Sequence, residues 1–585
     1  MAIKNNIIFV RSENVNITQS FINMKKTILS ALTLVALVLM PGRGESCTNL
    51  LITKGASKDG SVMVTYSADS HQLYGELYFK KANNFAPGTM LKIYEWDTGK
   101  FLGEIPQAEK TYYTVGNMNE KQVIITETTF GGRELEDPSG IMDYGSLIYV
   151  TLQRAGSARE AIKIMTDLVK EYGYYSSGES FSIADKNEVW ILEMIGKGVK
   201  MENGKNLNKG AVWVAVRIPD GYVSAHANQA RITTFPLNDP ENCIYAPDVI
   251  SFAKEKGWYK GADKDFSFSD TYAPLDFGAM RGCEARVWAA FNIMGKGMIG
   301  DKPYTHYLDY AMGHNAKNRM PLYIKPAEKL SVKMVADVMR DHYEGTALDM
   351  TKDAGAGGHA LPYRWRPMGF EVDGVKYTNE RAIATQQTGF WLLGQARSWL
   401  PDEVGGIFWF GVDDAATSAL TPIYSSSTRV PECFRVGNGN MTTYSPTSAF
   451  WIFNRVAQFA YLLYDRVHPE VKKVADKHEL DALERTSAID AAAMELYKQS
   501  PAKAREFLTD YSVRTAQDLF EKWVALDQYL LVKFMDGNIK KQDPDGSFLD
   551  NGSGKNIPAS PSQPGYSEIW KRAVKESAGD RLKSM

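Results

Sequence analysis

The sequence predicts an α+β fold. Short apolar stretches bounded by turn signals fill the first half. A capped amphipathic helix lies among them, and a long helical pattern fills the last part. Strands and helices mix without strict βαβ alternation, which favours layered sheets and helices over a doubly wound parallel sheet. In chain order, residues 48–52 and 61–65 are strands separated by the turn signal Ala56-Ser57-Lys58-Asp59-Gly60. Residues 122–126 form another strand. Ser157-Ala-Arg-Glu160 is a capping box, and the helix it opens carries Ala161, Ile164, Met165 and Leu168 at helical spacing before stopping near Gly173. Residues 182–184 and 189–193 flank Asp185-Lys-Asn-Glu188 as a hairpin. Residues 212–218 and 222–225 read as a second hairpin around Pro219-Asp220-Gly221. Further on, 331–342 is helical and 363–411 is a mixture of strands and loops. Ser445-Pro446 has the cap-and-proline form of a helix start. From there to about residue 534 the pattern is helical, with Ala492, Leu496, Ala504, Leu508, Leu519 and Trp523 on buried faces. Residues 543–566 are rich in Gly, Pro and Ser and read as loose. There is no internal repeat.

Composition narrows the function classes. The 585 residues carry a net charge of -2, with a pI of about 6.5, so no electrostatic basis exists for a nucleic-acid partner. Twelve Trp, 30 Tyr and 25 Phe suit large cores and apolar clefts. The four cysteines, Cys47, Cys243, Cys283 and Cys433, match no zinc spacing and no CxxC motif. Lys25-Lys26, the apolar run 27–40, Pro41 and the small residues Gly44 and Ser46 have the order of a secretory signal peptide cut after Ser46. Met24 is then the natural start, and 1–23 is an upstream segment outside the native chain. No other run is apolar and long enough to span a bilayer, so no membrane association is expected after signal removal.

Cleavage there would leave Cys47 as the first residue. A thiolate and an α-amine of pKa about 8 would then meet at one point, a nucleophile beside its own base. Two other readings compete. In a lipoprotein Cys47 would be lipidated, but Gly44 stands where such a signal has an aliphatic residue, and an apolar strand follows where a polar tether is usual. In the second, Cys47 is a structural cysteine that follows the signal. Other constellations fail: His306 and His314 are too far apart for a helical metal pair, and neither HExxH nor Gly-x-Ser-x-Gly occurs. No metal and no cofactor are expected.

The stretch Cys47-Thr-Asn-Leu-Leu-Ile-Thr-Lys-Gly-Ala-Ser-Lys-Asp-Gly-Ser61 resembles the mature start of the cysteine dipeptidases among the N-terminal-nucleophile hydrolases. These are relatives of the secernins, penicillin V acylase and bile salt hydrolases. Further matches follow in order: Gly116-Asn-Met-Asn119-Glu120, Thr126-Glu-Thr-Thr-Phe130, Ser224-Ala-His226-Ala-Asn228-Gln-Ala-Arg231, and Arg340-Asp-His-Tyr-Glu344-Gly-Thr346 with Asp349-Met-Thr-Lys. The resemblance covers Cys47 to about Trp451 and implies a four-layer αββα core with the nucleophile at the tip of the first strand. By position it implies that Asp69 lies near the sulfur and amine. It also implies that Asn228 donates its side-chain amide to the oxyanion, that a backbone N–H around Thr129 is the second donor, and that Arg286 supports the thiolate. Arg281 competes for that last role. Tyr66 departs from the pattern, because many relatives have an arginine three residues before the matched aspartate. His226 reads as a structural strand-end histidine.

The division that follows is an upstream segment 1–23, a signal peptide 24–46, a catalytic core 47–325, its continuation 326–447, a helical region 448–535 and a loose tail 536–585. The expected activity is that of an exported dipeptidase acting on small peptides through a thioester. An acylase of N-acyl amino acids or conjugated bile acids is the alternative within the superfamily. A ligand-binding surface lipoprotein is the non-enzymatic one. A homo-oligomer is compatible with the sequence.

Overall fold

The computed structural model describes residues 47–133 and 135–584; the upstream segment and the signal peptide lie outside the described residues. Two antiparallel sheets organise the chain. One has seven strands, ordered Tyr323–Ile324, Val223–His226, Asn49–Ile52, Val62–Asp69, Thr388–Ala396, Gly406–Val412 and Thr421–Tyr424. The other has eight, ordered Cys243–Tyr245, Ala211–Arg217, Val189–Gly196, Gly178–Ala184, Ile124–Phe130, Met118–Asn119, Thr114–Val115 and Phe79–Lys80.

Alternation along the strands sorts side chains into three apolar clusters. Leu51, Val64, Ile124, Ile191, Leu392 and Phe410 from both sheets share one cluster, so the sheets face each other. Met63, Trp391, Leu393 and Trp409 point the other way and pack with the helices Ala285–Met294 and Val332–Val338. Ile125, Ile183, Trp190 and Leu192 pack with Tyr144–Leu152 and Ala158–Tyr172.

The capping box at Ser157 forms: its side chain accepts from Glu160 N–H, while Glu160 Oε2 accepts from Gly156 N–H at 2.7 Å. The helix ends at Gly173, whose φ of 81° is in the left-handed region that glycine enters without strain. Asp185-Lys-Asn-Glu188 closes its hairpin, with Asp185 N–H donating to Glu188 O at 3.0 Å.

The second expected hairpin is corrected. Ala211–Arg217 belongs to the eight-stranded sheet and Val223–His226 to the seven-stranded one. Pro219-Asp220-Gly221 carries the chain across between sheets. A turn signal specifies a reversal, not the sheet that the next strand joins. Two helix starts also differ from expectation: the C-terminal helix begins at Ala449 rather than at Ser445-Pro446, and 331–342 is helical only over Val332–Val338.

The C-terminal helices Tyr464–Gln499 and Pro501–Phe534 pack against the seven-stranded sheet's last strand, and Ala449–Leu462 packs on them and on the strand Gly406–Val412. Tyr424 N–H donates to Ser512 Oγ at 3.0 Å, and Leu420 N–H donates to Glu479 Oε1 at 2.9 Å. The stretch read as a loose tail carries the helix Glu568–Ala578, held to the body where Ser567 N–H donates to Gly358 O at 3.1 Å. Among the described residues none of the four cysteines forms a disulfide. Among the described residues no helix is long and apolar enough to cross a membrane, and no group of His, Cys, Asp or Glu could hold a metal ion.

Candidate active site

Cys47 sits two residues before the strand Asn49–Ile52 and is 5% exposed. It opens into a cavity of about 260 Å³. Asp69 and Glu127 line the same cavity, and Tyr78, Trp96, Tyr149 and Phe390 give it aromatic walls. Trp96 stacks on Tyr149 at 4.6 Å between ring centroids, and Tyr78 meets Trp96 edge-on at 4.7 Å. The turn between the strands Met90–Tyr94 and Phe101–Pro106 brings Trp96 there. Its backbone N–H donates at 2.9 Å to Asp143, the residue that also caps the helix Tyr144–Leu152.

Arg286 joins the residues that the sequence singled out. It is fully buried in the helix Ala285–Met294. Its Nη1 donates to the carbonyl oxygen of Cys47 at 2.6 Å and to Thr48 Oγ1 at 2.9 Å. Its Nη2 donates to Asn228 Oδ1 at 2.9 Å and to Ala227 O at 3.2 Å. Arg281 is engaged elsewhere, paired with Glu380 at 2.5 Å. Of the two arginines, Arg286 is therefore the one in contact with Cys47.

Asp69 ends its strand at a register shift between Ala68 and Asp69. Such irregularities re-aim side chains at strand ends. Its carboxylate accepts from Arg381 Nη2 at 2.6 Å, from Thr388 Oγ1 at 2.7 Å and from Ser67 Oγ at 3.2 Å. The sequence reading missed Arg381. It brings a guanidinium to Asp69 from 312 residues away.

Tyr66 itself faces the nucleophile. Cys47 Sγ lies 3.7 Å from Tyr66 Oη as a hydrogen-bond donor, and Tyr66 Oη donates to Glu127 Oε1 at 2.5 Å. Burial, and then the neighbouring thiol and carboxylate, hold the Tyr66 hydroxyl well above its ordinary pKa, so it remains a donor. Glu127 was also missed as a site residue, although it lies inside the stretch Thr126–Phe130 that carries the resemblance.

Asn228 is placed differently from expectation. Its φ of 60° is left-handed, a region that asparagine tolerates. Its Nδ2 donates to Thr129 O at 2.6 Å. It lines a neighbouring cavity with Gly131, Arg133 and Cys283 rather than the one at Cys47. Thr129 lies in the strand Ile124–Phe130 opposite Glu179, and its hydroxyl donates to Glu179 Oε1 at 2.9 Å. The amide nitrogen carries two hydrogens, so the bond to the Thr129 carbonyl does not by itself prevent donation to an oxyanion.

His226 bridges the two sheets, 2.7 Å from Thr128 Oγ1 through Nδ1 and 2.7 Å from Ser182 Oγ through Nε2. Burial and the charge of Arg231 push its pKa down to about 3, which favours the neutral ring at neutral pH.

The profile of peptidase family C69 matches residues 46–477. A "Probable dipeptidase" of Salmonella dublin is 26% identical over 68% of this chain and 85% of its own length. A "Probable dipeptidase" of Latilactobacillus sakei is 24% identical over 80% and 90%, and "Dipeptidase A" of Lactobacillus helveticus is 24% identical over 74% and 85%. A solved C2A mutant of conjugated bile acid hydrolase from Clostridium perfringens aligns over 63% of this chain and 89% of that one. Its identity is 11% and its TM-score 0.25, too low to carry an argument. The family profile spans well over half of the sequence and starts one residue before Cys47: the chain belongs to peptidase family C69.

Proposed function

We propose that this protein is an exported dipeptidase in which Cys47, freed as the N-terminal residue, is the nucleophile. The observation that carries the reading is the position of Cys47. It follows a signal-like segment directly, lies two residues before the strand Asn49–Ile52, and faces a part-open cavity with aromatic walls, sized for a small molecule. Curated relatives named as dipeptidases support the substrate class. We read the three apolar clusters as a helix–sheet–sheet–helix order, the four-layer αββα core of N-terminal-nucleophile hydrolases. A lipid anchor fits poorly, because the thiol faces Tyr66 inside the cavity instead of solvent.

In this reading the Cys47 thiolate attacks the scissile carbonyl carbon, and the carbonyl π electrons move to oxygen. The tetrahedral intermediate collapses with cleavage of the C–N bond. The α-ammonium of Cys47 gives the leaving amine its proton, and a thioester remains. Water, losing a proton to the α-amine, then attacks the thioester and releases the acid and the thiol. Arg286, bonded to the Cys47 carbonyl, fixes the nucleophile's backbone and adds positive charge beside it. Asp69, neutralised by Arg381, completes the cavity wall without adding an unpaired charge. The test is Cys47→Ser assayed on dipeptides. We expect turnover to fall at least a thousandfold with the fold intact by circular dichroism. Near-normal turnover would sink the mechanism.

A further inference from the structure

We propose that Tyr66 and Glu127 form a proton relay, Tyr66 carrying the proton of the Cys47 thiol and Glu127 accepting it. The inference rests on the reading of Cys47 as a chain-end nucleophile and assigns the route by which its thiolate forms.

The chain-end amine by itself leaves the first proton without a place to go. An α-amine of pKa about 8 is mostly ammonium at neutral pH, and an ammonium cannot accept the thiol proton. The ammonium is also the form that must give the leaving amine its proton. A separate acceptor for the thiol proton meets both demands. Among the described residues no Lys or His lines the Cys47 cavity. Asp69 is held by Arg381 and Thr388, and His226 is engaged with Thr128 and Ser182.

The hydrogen bonds from the sulfur already run in the required direction. Cys47 S–H donates to Tyr66 Oη at 3.7 Å, and Tyr66 O–H donates to Glu127 Oε1 at 2.5 Å. All three side chains are buried. Tyr66 and Glu127 sit on the strands Val62–Asp69 and Ile124–Phe130, one from each of the two facing sheets. In the step, the S–H bond breaks and its proton forms a new Tyr66 O–H bond. The former Tyr66 O–H bond breaks, and its proton forms Glu127 O–H. Negative charge passes from Glu127 to sulfur, and both hydrogen bonds persist with their direction reversed. Tyr66 ends neutral, as a donor to the thiolate, so no phenolate has to persist in a place where burial disfavours it.

The surroundings tune the acceptor. Burial pushes Glu127 up to about 7 against hydrogen bonds with Tyr66, Glu179 and Cys47, and the charge of Asp97 adds to the rise. An acceptor poised near neutral pH suits a proton that must later be returned. The phenols of Tyr149 and Tyr174 also face Glu127 and stay neutral, raised first by burial and then by neighbouring charges. When the thioester is hydrolysed, the proton goes back from Glu127 through Tyr66 to the sulfur. The α-amine keeps its two other roles, donor to the leaving amine and base towards water. A chain extended before Cys47 would keep the relay and lack both.

The experiment reads the thiolate directly. Protein beginning at Cys47 is alkylated with iodoacetamide between about pH 5 and 10. The rate at Cys47 is followed by the mass of its own peptide, apart from those of Cys243, Cys283 and Cys433. The titration is repeated in Tyr66→Phe, which keeps the ring against Phe390 and removes only the hydroxyl, in Glu127→Gln and in the double variant. In the parent the rate should level off by about pH 7, where the acceptor is ionised. In each variant the rate at about pH 7 should fall roughly tenfold, and the midpoint should move up towards an ordinary thiol value of about 8.5. The double variant should lose no more than either single one, because one relay is cut. Release of the leaving amino acid in a single turnover should slow in parallel. A carboxylate that was merely close would repel the thiolate, and Glu127→Gln would then speed alkylation. A packing role would scale the rate at every pH without moving the midpoint. Either result, or additive losses, would overturn the proposal. If Glu127→Gln does not fold, Tyr66→Phe carries the test through its midpoint. The dipeptidase reading fails separately, on absence of dipeptide cleavage by the unmodified enzyme, because alkylation needs no substrate.

Discussion

Arg286 donates to the backbone carbonyl of Cys47 at 2.6 Å, tying the residue that leads into the first strand to a fully buried helix position 239 residues away. The same guanidinium reaches Thr48, Ala227 and Asn228. Burial lowers its pKa, but a guanidinium stays charged.

Arg286→Met is therefore expected to cost stability and activity together. The Cys47 and Ala227 carbonyls would be left buried without this donor, at a cost on the order of 3 kcal/mol. Urea unfolding of the variant should show a clearly lower midpoint, and dipeptide turnover should fall more than tenfold. A variant as stable and as active as the parent would show that Arg286 merely fills space.

Asn228→Ala is expected to reduce kcat by about a hundredfold with KM little changed, if the Asn228 amide, which already donates to Thr129 O, also donates to the oxyanion during the reaction. Steady-state kinetics on one dipeptide decides this. A change confined to KM would assign Asn228 to structure, as its present contacts with Thr129 and Arg286 do.

What could be read from the chain and what could not follows from distance along it. Cys47, its turn and the strand after it are contiguous, so local pattern reveals them. The capped helix at Ser157 is legible for the same reason. The Tyr66–Glu127 contact spans 61 residues and joins two different sheets, and the Asp69–Arg381 pair spans 312. No local periodicity encodes either. Tyr66 stood out only as a departure from the expected arginine, and its partners explain the departure: Arg381 supplies a guanidinium to Asp69, and Tyr66 turns to Glu127. The crossing at Pro219–Gly221 was misread because the same turn chemistry serves a hairpin and a passage between sheets.

Asp413 gives a pH-dependent prediction away from the site. Burial and the neighbouring Asp414 push its carboxyl up to about 8, and its Oδ2 has no partner. A carboxyl raised in the folded state binds a proton more tightly there than in the unfolded chain. Its stabilising contribution is full below the unfolded pKa of about 4 and is lost as pH rises through about 8. Asp413→Asn removes the titration, and asparagine also accepts the left-handed backbone at this position, where φ is 65°. Relative to the parent, the variant should gain stability between pH 5 and 9, by at least about 1 kcal/mol at the alkaline end. A parallel pH dependence of the two urea midpoints would contradict this.

The central claim is that Cys47 acts as a chain end, with its own amine as the base. The most direct measurement compares dipeptide hydrolysis by protein beginning at Cys47 with protein carrying one non-removable residue before it, each N-terminus verified by intact mass. An amide nitrogen cannot accept a proton at neutral pH, so the extended protein should be folded and nearly inactive. Full activity with the extra residue intact would contradict the account. Cys47 would then have to work with an outside base, and the N-terminal-nucleophile mechanism would be withdrawn.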